Sequence, residues 1–183
     1  MTPNLSLIDP AFVGVTSAVA GYTLTWEQTT QDNDEAMAGN TNIAGTGEFF
    51  FTNHVVTGTV INKVEFYLKR IGTPTETFTV QIQKGGNPAD VIDFIPTFVS
   101  DDLTTSYAYY PFTNDSNTYA IVSGDIICVY CTPSSSVNNI IKVGNQTAHE
   151  DYTQGTYFWV PTTSWIPIIT RDRPCTMKVY VLD

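Results

Sequence analysis

The sequence predicts an all-β protein, an antiparallel β-sandwich of jelly-roll-like type with eight or more strands. Three observations predict it. Apolar and polar residues alternate with period two over many short segments. Turn signals built from Gly, Pro, Asn and Asp recur about every 8 to 12 residues. No long segment carries the roughly 3.6-residue period of an amphipathic helix. The chain has 183 residues, which suits one domain with a sizeable core.

Residues 1–42 are rich in Ala, Gly, Thr and Asn, with weak alternation in "GYTLTW". They read as an extended N-terminal arm with one or two first strands. Such an arm either pairs within its own sandwich or covers a neighbouring subunit's open sheet edge. "QDNDE" at 31–35 reads as a loop, and "NDEAMAG" as at most one helical turn. Residues 43–183 read as the sandwich domain. In "NKVEFYLKRI", Val64, Phe66 and Leu68 share one face, and Lys63, Glu65, Tyr67 and Lys69 the other. After the turn "GTPTE", "TFTVQIQK" sets Phe78, Val80 and Ile82 against Thr79, Gln81 and Gln83. The two strands read as an antiparallel hairpin.

"GGNPAD" is a loop, and "FIPTFVS" an edge strand interrupted by Pro96. "TSYAYYPF" is the next strand, with "TNDSN" as its exit turn. "TYAIVSGDIICVYC" breaks at Gly124-Asp125, with Ile127, Val129 and Cys131 facing inward. "IIKVG" and "TYFWV" are strands, "TTSWIP" is a turn, and "RPCTMKVYVLD" closes the chain with Met177, Val179 and Val181 on one face.

Composition narrows the function. Only 14% of residues are charged, against about a quarter in ordinary domains, so Thr, Ser, Asn and Gln must form the polar surface. Extracellular, virion and appendage β-proteins have that surface. The net charge of −10 repels nucleic-acid backbones and anionic lipid, which argues against a nucleic-acid partner. No run approaches the about 18 apolar residues of a membrane span, so no membrane insertion is expected. The first basic residue is Lys63, so "MTPNLSLIDPAFVGV" lacks the positive region of a secretory signal. A virion protein needs none, because it leaves with the particle. The expected location is a virion or an extracellular surface.

Four segments carry a family resemblance: "INKVEFYLKRIGTPTETFTVQI", "YAIVSGDIICVY", "NNIIKVG", and Trp165 followed by Arg171-Asp172 and "MKVYV". In order and spacing they resemble β-sandwich modules of archaeal and bacterial surface proteins and of tailed-virus structural proteins. Those modules carry patterns like "sVsFyLkkvGsPtG", "GDkIgVeY" and "W…RD…Y". The resemblance covers residues 43–183. It implies a sandwich fold and an adhesive, anchoring or carbohydrate-binding-like role, with Arg171-Asp172 tying the last strand. Cys128 stands where the pattern has Gly, and Cys131 where it has Tyr.

The candidate sites follow. "CVYC" has Cys-x-x-Cys spacing, but strand positions i and i+3 lie on opposite faces, which disfavours a shared metal. Cys131 and Cys175 would form a disulfide if their strands are neighbours; otherwise the three cysteines are buried thiols acting as small hydrophobes. His54 and His149 are the only histidines, and no nucleophile elbow or His-Glu-x-x-His motif frames them, so no enzyme activity is expected. "HED" at 149–151 reads as a solvated loop. Asp32, Asp34 and Glu35 are weak candidates for structural calcium, with oxygen ligands but without an EF-hand spacing; no other cofactor is expected.

The aromatic residues carry the binding expectation. Tyr107 and Tyr109 share one face of their strand as an outward ladder, while Phe112 and Tyr119 read as core. Tyr157, Trp159 and Trp165 repeat the pattern. Exposed Tyr and Trp serve both sugar stacking and protein interfaces. Asn4, Asn114 and Asn145 head glycosylation sequons. The function expected from all this is a non-enzymatic structural subunit: a capsid decoration, turret or fibre-head protein that assembles as a homo-oligomer or with other subunits. The alternative is a module that binds carbohydrate or a cell surface through its aromatic residues.

Overall fold

A computed structural model describes residues 21–31, 33–37, 43–131, 140–145, 153–159, 164–167 and 175–183. The chain is all-β. Its strands are β1 (Tyr22–Gln28), β2 (Asn33–Met37), β3 (Ile43–Phe50), β4 (Lys63–Ile71), β5 (Thr77–Gln83) and β6 (Val91–Val99). Then come β7 (Ala108–Thr113), β8 (Ile126–Cys131), β9 (Ile140–Asn145), β10 (Thr153–Trp159), β11 (Ser164–Pro167) and β12 (Met177–Leu182).

All pairings between strands are antiparallel, in the order β1-β12-β4-β7-β6-β5-β8-β3-β10-β11, with β2 on β9 and β9 on β4. One edge of β4 is shared: β12 pairs with its first half, through Phe66, and β9 with its second, from Leu68. Between them Tyr67 N donates to Thr176 O at 3.1 Å, and Thr176 N to Gly144 O at 2.8 Å. The sheet curls, so that strands from both ends of the order line one core. Phe66, Leu68, Val143 and Val179 from the first half meet Phe50, Phe78, Ile82 and Val129 from the second. One polar bond also crosses it: Cys175 N donates to Oε2 of the buried Glu48 at 2.7 Å.

The alternation read from sequence assigns the faces correctly. Val64, Phe66, Leu68, Phe78, Val80 and Ile82 are all fully buried, and each such side chain contributes about 1.5–3 kcal/mol by leaving water. The expected hairpin is corrected. β4 pairs with β7, β9 and β12, and β5 with β6 and β8, so the turn after Ile71 carries the chain from one half of the sheet to the other. Period two fixes which face is buried, not which strand lies alongside.

Three further expectations change. Over 33–37 the loop expected at 31–35 and the helical turn expected in 33–39 give way to a strand that pairs with β9. Trp165 lies in β11 rather than in a turn, in register with Phe158. The second face of β5 is polar yet buried: Gln83 Nε2 donates to Gln81 Oε1 at 3.0 Å, and Gln81 Nε2 to Asp93 Oδ1 at 2.8 Å. Amides that satisfy one another can be covered, so a polar stripe need not meet water.

Within the arm, β1 pairs with β12 of the same chain and Trp26 joins the core, so the strands of 22–37 belong to this sheet. Residues 1–20 lie outside the described residues. Among the described residues no helix is long and apolar enough to cross a membrane.

Candidate functional site

The outer face of the β12-β4-β7 region gathers tyrosines and lysines. Tyr67 of β4 lies between the two tyrosines read from sequence. Its ring is 5.0 Å from Tyr107, stacked at 16°, and 4.7 Å from Tyr109 at 41°. Register explains the meeting, since Tyr67 pairs directly with Tyr109 across β4 and β7. Lysines cap the outer rings: Lys69 Nζ sits 4.3 Å from the Tyr107 centroid and Lys178 Nζ 4.6 Å from that of Tyr109. Lys63 Nζ lies 4.4 Å from the Tyr180 ring and 2.7 Å from Glu65. Lys142 pairs with Lys69 in register, so four of the five lysines in this acidic chain share the face. Burial, and after it Glu27, Tyr67 and Glu65, push the Tyr109 hydroxyl up to about 12.

Tyr107 and Tyr109 thus share one face, with a third ring set between them. The pair is joined through Tyr67, and its ring faces are engaged by a neighbouring ring and by ammonium groups within the chain. Both tyrosines are half-buried, and the Tyr107 hydroxyl itself is buried. The sequence contained Tyr67, Lys69 and Lys178 on the right faces of their strands, but nothing in it showed that β4 lies beside β7.

A second surface lies at one pole. The 51–62 loop leads from β3 into β4, and the 114–125 loop leads from β7 into β8. Gly58 N donates to Ile121 O at 2.7 Å, Ile121 N to Thr59 O at 2.9 Å, and Gly124 N to Phe50 O at 3.1 Å. On this joined rim Val55 is 58% exposed, Val122 49% and Phe51 37%. The Phe51 ring leans on Phe49 at 5.0 Å. The same pole receives the start of β1 and the end of β12. Asn62 Oδ1 accepts from Leu182 N at 3.2 Å, Tyr22 pairs with Leu182, and Asp183 N donates to Gly21 O at 3.1 Å. Asn62 and Asn117 lock the rim: Asn62 Nδ2 donates to Asn114 O and Asn117 O, and Asn117 Nδ2 to Ile61 O at 2.7 Å.

The three cysteines are held inside the fold, free and buried. β8 pairs with β3 and β5, and Cys175 bridges to Asn145, so the strands of Cys131 and Cys175 are not neighbours and the disulfide is not formed. Cys128 and Cys131 lie on opposite faces, as their spacing requires: only Cys131 belongs to the core cluster. Burial raises both thiols, that of Cys131 to about 12, so neither is a ready thiolate. Asp34 and Glu35 occupy consecutive strand positions in register with Gly144 and Val143, not a loop. Asp32, "HED", Arg171 and Asp172, and the side chains of Asp34, Glu35, Tyr157, Trp159 and Trp165, lie outside the described ones. Phe112 is core as expected, and Tyr119 is half-buried against it. Asn145 is fully buried, so its sequon is out of reach of a modifying enzyme in the folded chain.

An open cleft beside β6 and β7 is lined by Asp93, Ile95, Thr113, Asn114, Asp115 and Ser116. Its polar groups bond one another. Asn114 Nδ2 donates to Asp93 O at 2.8 Å, Ser116 Oγ to Asn114 Oδ1 at 3.0 Å, and the Tyr22 hydroxyl to Asp115.

His54 is a structural histidine, packed edge-on to Trp26 at 5.0 Å and tilted on Phe50 at 5.0 Å. Its Nδ1 accepts from Val56 N at 3.2 Å, a bond that only the unprotonated nitrogen can take. Burial lowers its pKa from the ordinary 6.5 to about 4. The unfolded chain thus takes up a proton near pH 6.5 that the folded chain refuses until about pH 4. The contribution is full above the unfolded value and is lost as pH falls through the folded one, by about 3 kcal/mol at most. Chemical unfolding of the native chain and of His54→Phe at pH 7, 5.5 and 4 checks it. The difference between the two should change by that amount, and a constant difference would refute a buried neutral His54.

No family model matches the chain, and neither a curated protein nor a solved structure does.

Proposed function

We propose that the chain is a non-enzymatic structural subunit of a virion or extracellular appendage, of the capsid-decoration, turret or fibre-head kind, built as a jelly-roll-like β-sandwich. The observation that carries the reading is the exposed apolar pole around Val55, Val122 and Phe51. Clustered apolar surface of this kind marks a contact surface. The two ends of the strand order add to it, because β1 and β11 each have one strand partner among the described residues, and open edges accept further strands. His54, the three cysteines and Asp125 are buried or bonded within the fold, as suits a protein whose polar groups hold structure. The resemblance of residues 43–183 to surface and tailed-virus modules points the same way, and the uncharged polar composition suits an outer surface.

A second reading, a carbohydrate or cell-surface binding module, is favoured by the tyrosine–lysine face, where half-buried aromatic rings and lysine ammonium groups suit contact with a glycan. Native mass separates the two. Self-association supports the structural reading. A strict monomer that binds a glycan, and loses it in Tyr107→Ala/Tyr109→Ala, supports the other.

A further inference from the structure

We propose that the apolar pole is the joint between subunits and that its occupant is the N-terminal segment of a second copy of this chain. The inference rests on the structural-subunit reading. Residues 1–20 contain Leu5, Leu7, Ile8, Phe12, Val13 and Val15, and Asp9 is their one charged side chain. Such a segment can enter an apolar seat with almost no charge to desolvate. Its point of departure is fixed at this pole. Gly21 accepts from Asp183, Leu182 is bonded to Asn62, and the 59–62 stretch runs beside Ala120 and Ile121, next to Val122. Val55 and Val122 are 58% and 49% exposed in the single chain, so the seat is open to a partner.

The geometry also selects the manner of assembly. The arm leaves, and the seat lies, at the same end of the molecule. Two copies meeting pole to pole therefore exchange arms reciprocally, each giving what it receives, and the contact closes on itself around a two-fold axis. Apolar area removed from water on both seats drives the exchange. The strand β1 that follows the arm is anchored on β12, so the arm can move to a partner without unravelling the sheet.

The test compares three proteins by sedimentation velocity over a concentration series: the full chain, a chain lacking residues 2–20, and full-length Val55→Asp/Val122→Asp. Near-ultraviolet circular dichroism checks that each is folded. The full chain should be a dimer or a multiple of one, and both altered chains monomers. A labelled peptide of residues 3–18 should bind the shortened chain and lose at least ten-fold in affinity when Val55 and Val122 are Asp. If the shortened chain keeps the native mass, or the peptide ignores the two Asp substitutions, the arm-and-seat inference falls while the structural reading stands. A full chain that is monomeric at every concentration overturns both.

Discussion

Gly47→Ala should destabilise the fold by about 3 kcal/mol, the upper range for overpacking. Gly47 sits in β3, in register with Cys128 of β8 on one side and Thr156 of β10 on the other. A Cβ there would lie 2.5 Å from Cys128 Cβ and 2.5 Å from the carbonyl oxygen of Ile127. The second contact decides the magnitude. A side-chain tip can rotate away, but a ladder carbonyl moves only with its strand, and β8 is buried on both faces over Ile126–Val129. Gly144→Ala is the internal contrast. Its nearest obstacle is Gln31 Cγ at 2.9 Å, part of a flexible side chain, so the cost should be smaller. Urea unfolding of both variants measures the difference, and equal losses would contradict the claim that β3 and β8 are held too close for a side chain.

Asp125→Ala should cost about 3–5 kcal/mol, the range for breaking a buried charged network. The fully buried carboxylate accepts three hydrogen bonds: from Gly85 N at 2.9 Å, Val122 N at 2.8 Å and the Tyr119 hydroxyl at 2.9 Å. It thereby ties the turn entering β8 to the turn leaving β5. Gly124 before it has φ +102°, a conformation that favours glycine. Removing the carboxylate leaves three donors without their acceptor. Asp125→Asn keeps the shape but turns an NH2 toward one of them, so it should fall between. Burial first, then the bond to Asp125, holds the Tyr119 hydroxyl up at about 12, and spectrophotometric titration of Asp125→Ala should show it lowered but not restored to the ordinary value. An Asp125→Ala chain as stable as the native one would mean that the bonds are incidental.

Gly124-Asp125 thus has a physical role: the glycine makes the turn, and the aspartate pins it to a distant loop. Such roles show where sequence reading succeeds and stops. Val64, Phe66 and Leu68 could be assigned to the core because the period of a strand is local. The partner of β4 could not, because a five-residue connection serves a hairpin and a crossing between halves equally well. For the same reason Tyr107 and Tyr109 were legible as one face, whereas Tyr67 between them was not. Gln81 and Gln83 misled because their amides satisfy each other, which a hydropathy pattern does not register. Asp34 and Glu35 looked like a loop because acidic residues are rare in strands, and only pairing with β9 makes that segment regular.

The central claim is that this chain works by associating with copies of itself. Light scattering of the full-length protein over a hundred-fold concentration range tests it most directly. The account predicts a closed oligomer, with the two-fold pair as its unit, that persists on dilution to low micromolar concentration. A mass equal to one chain across the whole range would contradict it and move the working surface to the tyrosine–lysine face.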